Sequence, residues 1–393
     1  MSWPLEDIGS HVEKITTWNP SESGLTEEFF YIDLSSVDKD KKALELSQVQ
    51  KVLAKNAPSR ARQLVKASDV LVSTVRPNLN GIARIPDELN DATASTGYCV
   101  LRPIKQTLNS NYLFYWVQSN LFVNDMILKA TGANYPAVSD RIIKQSKIPL
   151  PPLPKQQKIA SILDAADSLR QKDQQLIEKY TALSQSLFLE MFGDPVTNPM
   201  EWDKVELATL GKISSGSTPS REINEYYEGN IPWVKTGEVN STKIIKTSEC
   251  ISEEALKNSS CKLYPAGSLI IAMYGQGKTR GQVGMLGIEA TTNQACAVIP
   301  PSSNMNYDYL FMLLKLSYED LRRLGRGGNQ PNLNSGLIKS YCVISPPISL
   351  QNKFGERIQV IESQKQLALA SLEKSEALFN SLLQRAFKGE LTA

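Results

Sequence analysis

The residues that come closest to a recognisable chemistry lie in LIIAMYGQGKTRGQVGML, Leu269–Leu286. An apolar run leads into Ala272, and Gly277-Lys278-Thr279 follow at the spacing of a loosened phosphate-binding loop. In such a loop, backbone N–H groups cradle the phosphates, the lysine neutralises them, and a helix begins at once. After Thr279, however, comes RGQVGMLG, with three glycines and a valine in eight residues. That is poor helix material and reads better as the second strand of a hairpin. The expectation is a protruding loop tipped by Tyr274, Gln276, Lys278, Thr279 and Arg280. Lys and Arg neutralise phosphates, and Gln and Arg can also read base edges through paired hydrogen bonds.

Other chemistry is sparsely provided for. The single histidine, His11, has no evident Ser or Cys partner for general-base work. Cys99, Cys250, Cys261, Cys296 and Cys342 are scattered without a CxxC pair, so reduced thiols are expected and no metal site is proposed. No catalytic residue is assigned. The 43 basic and 41 acidic residues give a net charge of +2. That balance does not exclude nucleic acid, because a local basic face matters more than the total. No apolar run reaches the roughly 18 residues of a membrane span, and the N-terminus has no apolar signal core. A cytoplasmic protein with no membrane partner is expected.

The elements that would position these residues come in two copies. Residues 134–158, NYPAVSDRIIKQSKIPLPPLPKQQK, align with residues 329–353, NQPNLNSGLIKSYCVISPPISLQNK, at a constant shift of 195. The shift pairs Pro151-Pro152 with Pro346-Pro347, Gln156 with Gln351, Leu183 with Leu378 and Phe192 with Phe387. Upstream, SDVLVSTV at Ser68 resembles GSLIIAMY at Gly267, and YLFYWVQS at Tyr112 resembles YLFMLLKL at Tyr309. Such an ordered set of matches points to internal duplication. Each copy begins with β-rich runs interrupted by a short helix, is closed by a proline pair, and continues as one long helical segment.

The long segments carry apolar residues at alternating spacings of three and four. Ile159, Ile162, Ala166, Leu169, Leu176, Tyr180, Leu183 and Leu187 form one seam, broken at Asp173. Phe354, Ile358, Ile361, Ala368, Leu372, Leu378 and Leu382 form a looser second one. Such seams suit helix–helix pairing. A helix of this length, about 55 Å at 1.5 Å per residue, can hold two domains apart. The expected fold is α+β, with β-rich domains at residues 1–150 and 199–345. Long helices at 151–198 and 346–393 pair as an antiparallel coiled coil, in a pseudo-twofold internal repeat.

The first copy offers a second set of loop residues. VLVSTVRPNLNGIARI, Val70–Ile85, has no Gly-Lys-Thr but presents Arg76, Asn78, Asn80 and Arg84. Loops after the short helices add Lys129 and Asn134 in the first copy, and Arg322, Arg323, Arg326, Asn329 and Gln330 in the second. The arginine cluster suits a phosphate backbone. A shared scaffold carrying different basic and amide side chains is what two readers of two DNA sequences would look like.

At these residues the chain resembles the specificity (S) subunits of type I restriction–modification systems. The likeness is carried by IPLPPLPKQQKIASILDAAD and VISPPISLQNKFGERI, by the helix ends LFLEMFGD and LLQRAFKGEL, and by GSTPSREINEYYEGNIPWVKTGEV, Gly216–Val239. The resemblance implies two target-recognition domains reading a bipartite double-stranded DNA target, with the helices setting the spacing. It also implies docking of two DNA-methylation subunits and of restriction/translocase subunits. S-adenosylmethionine, ATP and Mg would then belong to those partners, and the chain itself would be non-catalytic. No base-contacting residue carries over, and the first domain has TTWNPSESGLTEEFFYIDLSSV where the second has the GSTPS stretch. Two other classes stand beside this reading. A stand-alone adenine-N6 DNA methyltransferase needs a glycine-rich cofactor loop and an Asn/Asp-Pro-Pro-aromatic segment, whereas Pro151-Pro152 and Pro346-Pro347 are flanked by Leu150, Leu153, Ser345 and Ile348. A structural coiled-coil adaptor would account for the helices and leave both β-rich domains without a task.

Overall fold

The computed structural model describes residues 3–23, 27–275, 277–325 and 332–391. The chain divides into two compact units, Met1–Gln174 with Ala370–Ala393, and Gln175–Leu369. Each contains one β-rich region and part of both long helices, Leu153–Phe192 and Ile348–Phe387.

In the first unit a four-stranded sheet runs in the order Gln50–Leu53, Glu28–Ile32, Thr93–Ser95, Ala61–Leu64. Its central pair is parallel and its outer pairs are antiparallel. A three-stranded antiparallel sheet, Tyr98–Leu101, Val70–Ser73, Ile82–Arg84, lies with it. The second unit has a five-stranded sheet in the order Ser214–Ser215, Cys296–Ile299, Leu269–Ala272, Val283–Leu286, Lys243–Ile244. A three-stranded sheet of Glu249–Ile251, Ile231–Val234 and Thr291–Thr292 completes it. The runs VLV, LIIA and CAVI are buried along their length. They therefore read as continuous apolar segments and not as alternating ones.

Both copies close in the same way. Leu5–Asp7 pairs antiparallel with Lys147–Pro149, and Lys204–Glu206 with Cys342–Ile344. The helix at Ser110–Trp116 is capped by Asn109, and that at Tyr307–Leu316 by Asn306, each side chain accepting from an amide in the first turn. Gln156 explains its recurrence as Gln351. Its Oε1 accepts from the Asn109 amide at 2.9 Å, and its Nε2 donates to the Pro151 carbonyl at 2.9 Å. Gln351 repeats both bonds, to the Asn306 amide at 3.0 Å and the Pro346 carbonyl at 2.8 Å. Tyr112 donates to the Pro149 carbonyl and Tyr309 to that of Ile344. These buried bonds fasten each long helix to the β-rich region that precedes it.

Within each unit the helix segments pack antiparallel, but the seam differs from the one hydropathy suggests. Leu169, Leu176, Leu183 and Leu378 are 45%, 40%, 49% and 46% exposed. Ile162, Leu187, Ile361, Leu372 and Leu382 are half-buried, whereas Ile159 and Ile358 are buried. The buried stripe of the first helix is Ile159, Leu163, Ala166, Asp173, Ile177, Ser184 and Phe188, which shifts the middle of the seam one residue along from the leucines.

Two causes account for the shift. First, both ends of the helix pair are anchored on bulky clusters. In the second unit Phe188 and Phe192 pack on Tyr309 and Phe354 with ring centroids 4.7–5.6 Å apart. In the first unit Phe379 and Phe387 pack on Tyr115, Tyr112 and Trp116. Second, the seam admits polar residues. Asp173, 8% exposed, accepts from the Ser371 hydroxyl at 3.1 Å and the Ser375 hydroxyl at 2.8 Å. The residue that interrupts the hydropathy pattern is thus a cross-helix contact. A buried carboxylate must be hydrogen-bonded to be tolerated, so it favours this antiparallel register over a slipped one.

Candidate nucleic-acid interface

In each unit the loop leaving the central strand meets the loop that comes after the short helices. In the first unit the Val138 amide donates to the Thr74 carbonyl at 2.8 Å, and the Arg76 amide to the Pro136 carbonyl at 2.7 Å. In the second the Leu333 amide donates to the Met273 carbonyl at 3.0 Å. A third loop joins on the other side. The Thr74 amide donates to the Gly97 carbonyl at 2.9 Å, and the Met273 amide to the Ala295 carbonyl at 2.8 Å. The two copies thus share a backbone frame that presents three loops together.

The first tip holds exposed Arg76 and Asn78, with Asn80 half-buried. Arg76 and Asn80 bracket the turn Pro77–Leu79 with φ of +51° and +44°. Asparagine tolerates this left-handed region, while an arginine there is strained. Two contacts hold the turn: the Lys42 ammonium donates to the Asn80 carbonyl at 2.8 Å, and the Arg76 guanidinium lies 4.8 Å from the centre of the Tyr135 ring. Lys129 ends the helix Asn120–Lys129 and pairs with Asp125 at 2.7 Å. Asn134 is exposed in the loop beside the tip.

Arg84 does not belong with them. Its strand partner is Val70, at the end of the hairpin away from the tip. Its guanidinium donates to Asn111, which in turn donates to Asp164 on the long helix at 2.7 Å. The reason is register: two further strand residues carry position 84 from the tip to the helix.

In the second tip Tyr274 and Lys278 are exposed, and Thr279 and Arg280 are half-buried. Gly275, Gly277 and Gly281 have φ of +140°, +61° and +85°, so the chain turns where side chains are disfavoured. The segment after Thr279 forms the strand Val283–Leu286 and not a helix. The helix N-terminus that a phosphate-binding loop requires is therefore missing from this position. Arg323 is exposed. Arg322 is engaged with the tip itself: its Nη1 donates to the Gly277 carbonyl at 2.8 Å and to the Tyr318 hydroxyl at 2.6 Å. Tyr318 donates to the Lys278 carbonyl at 2.6 Å. Arg322, read from the sequence as part of an arginine cluster suited to a phosphate backbone, is thus also a support for the tip backbone. Gln276, Arg326, Asn329 and Gln330 lie outside the described residues.

Sequence reasoning missed Tyr135, Lys42, Tyr318 and the third loop, with Thr96 in the first copy and Gln294 in the second. TTNQAC around Gln294 carried a signal, an amide pair between two buried strands, but only the frame reveals that it borders the tip.

The family model described as "Type I restriction modification DNA specificity domain" matches residues 45–179 and 199–375, which is most of the chain. The chain belongs to the type I restriction–modification specificity-subunit family. It is 28% identical over 328 residues to the MjaIX specificity subunit of Methanocaldococcus jannaschii, covering 77% of this chain and 73% of the relative. It is 22% identical to the HindI specificity subunit of Haemophilus influenzae, over 86% and 89% of the two chains. In fold it matches the solved type I S subunit of M. genitalium with a TM-score of 0.62 at 16% identity, over 98% and 96% of the chains. A chain from another solved type I R-M system gives 0.58 at 22% identity, over 99% and 98%.

In this specificity subunit the GSTPS stretch has a physical role. A Cβ at Gly216 would overlap the Thr292 hydroxyl and the Asn293 carbonyl, so only glycine lets the segment run against the third loop. Trp233, buried, donates to the Ser217 carbonyl at 3.1 Å. The Arg221 guanidinium stacks 4.0 Å from the Tyr227 ring centre and binds Glu249 at 2.8 Å. Lys235 binds the same carboxylate at 2.6 Å. The hydrogen bond from Lys235 and then that from Arg221 hold the Glu249 carboxyl below its ordinary range.

Proposed function

We propose that this chain recognises a bipartite double-stranded DNA target, one half-site for each β-rich domain, residues 1–150 and 199–345. The observation that carries this reading is the shared three-loop frame, whose backbone hydrogen bonds recur in both copies while its exposed side chains differ. Arg76, Asn78 and Asn80 in one copy, and Tyr274, Lys278, Thr279 and Arg280 in the other, supply the cations, amides and aromatic surface that phosphates and base edges accept. The long helices act as the spacer and as the docking surface for two methylation subunits and for restriction/translocase subunits. In support, Leu169, Leu176 and Leu183 recur at intervals of seven along one exposed face, and Val360 and Leu367 do so on the second helix at 62% and 64% exposure. S-adenosylmethionine, ATP and Mg are used on those partners, in the cytoplasm.

Exchange of residues 1–150 for the matching domain of a relative tests the reading. One half of the sequence bound by the assembled complex is expected to change and the other to persist. Change of both halves together, or of neither, would refute two independent readers.

A further inference from the structure

We infer that Gln294 reads an adenine in the half-site of the second domain, and that Thr218 positions its amide for the task. The inference rests on the DNA-binding reading above and names a base-contacting residue within it. Tyr274 and Gln294 are the next residues outward from the pairing of Ala272 with Cys296 and the bond between Met273 and Ala295. Gln294 is exposed there, beside the tip.

The backbone on either side of Gln294 is held at three points. The Asn293 amide donates to the Val234 carbonyl at 3.0 Å, the Ser217 amide to the Thr292 carbonyl at 2.8 Å, and the Gly216 amide to the Cys296 carbonyl at 3.1 Å. The Asn293 side chain is held too, accepting from the Thr236 hydroxyl at 3.1 Å. The close approach that Gly216 permits brings Thr218 alongside, and its hydroxyl donates to Oε1 of Gln294. One lone pair of Oε1 and both Nε2 hydrogens remain for a ligand. An amide so oriented can accept from adenine N6 and donate to N7, the pairing that marks adenine in the major groove. Fixing the amide before contact removes part of the ordering cost of binding.

The first copy provides an internal contrast. Thr96 occupies the equivalent place, one residue before Gly97, and is exposed. A threonine lacks the paired donor and acceptor, so the assignment concerns the second half-site only.

The test uses the full chain in the assembled complex and duplexes that the complex selects from a random library, with the second half-site defined by the domain exchange. Each adenine of that half-site is replaced in turn by 7-deazaadenine, which lacks the N7 acceptor. At one position the wild-type chain is expected to lose about 5- to 150-fold in affinity, and Gln294→Ala should be insensitive to that replacement. Gln294→Glu, which keeps an acceptor and loses the donor, should shift preference there toward cytosine, whose N4 donates. Thr218→Val should reduce the discrimination ratio at that one position, and Thr218→Ser should restore it. If Gln294→Ala selects the same sequence with the same 7-deazaadenine profile, the assignment to Gln294 is wrong while the DNA-binding reading stands. If the assembled complex carrying the wild-type chain selects no sequence, both fail.

Discussion

Adjacent residues on the first long helix separate the seam in the structure from the seam suggested by hydropathy. Ile177 is 9% exposed and Leu176 is 40% exposed. Truncating a buried isoleucine to alanine costs about 2–5 kcal/mol, from lost transfer energy and the cavity left behind. At Leu176 much of the side chain is already in water, and leucine and alanine are both good helix formers. The cost there should stay within about 1 kcal/mol. For a unit of this size 1 kcal/mol moves the unfolding midpoint by about 2–4 °C. Calorimetry of the isolated full chain should therefore show Ile177→Ala lowering the midpoint by about 4–20 °C, and Leu176→Ala by a few degrees at most. Leu176→Asp and Leu183→Asp should likewise spare the isolated chain, yet impair assembly with methylation subunits if the outward leucines dock them. Equal destabilisation by Leu176→Ala and Ile177→Ala would refute the one-residue shift of the seam.

Two further outcomes test interactions elsewhere. Asp69, whose side chain is 1% exposed, receives two hydrogen bonds from Arg102 at 2.9 and 2.7 Å; Arg102→Met strands that carboxylate and should cost about 3–5 kcal/mol, measured by urea unfolding, whereas a loss below about 1 kcal/mol would show that the pair is dispensable. Glu249 is held below its ordinary value of 4.5 chiefly by Lys235, so its contribution to stability is complete above that pH and is lost as pH falls through the depressed value. The stability gap between wild type and Lys235→Met should thus be constant near neutrality and close only in acid; a gap that opened above about pH 6 would contradict the linkage.

The sequence made the duplicated architecture legible because duplication leaves paired identities that stay fixed whatever each half reads. Gln156 and Gln351, Asn109 and Asn306, and Tyr112 and Tyr309 make the same bonds in both copies, and a substitution at any of them would leave a buried polar group without its partner. The helix seam was less legible because hydropathy scores Asp173 as an interruption and passes over Ser184 in favour of Leu183, although Asp173 and Ser184 are buried and Leu183 is exposed. A carboxylate flanked by two serines from the facing helix is satisfied by geometry that spans about 200 residues of sequence, and no local window contains it.

The candidate interface residues were legible by type more than by position. Lys278, Arg280, Arg322 and Arg323 all read as cations near a glycine-rich turn, yet Arg322 is turned onto the tip backbone and Arg323 is exposed. Arg84 read as part of a tip that its strand register carries it away from. Gln294 was hidden for the converse reason: TTNQAC shows an amide pair between two apolar runs, but only the Met273–Ala295 bond brings that loop to the tip. The distinction has a consequence for function. Gly216 lets its segment run against the third loop, and Tyr318 and Arg322 hold the tip backbone, so these residues fix where the loops of the second copy stand. Residues such as Gln294, Tyr274 and Lys278 project from that frame and can change without disturbing it. If these loops read DNA as proposed, the target is expected to change by substitution at projecting positions, because the energy that holds the frame is supplied by other residues.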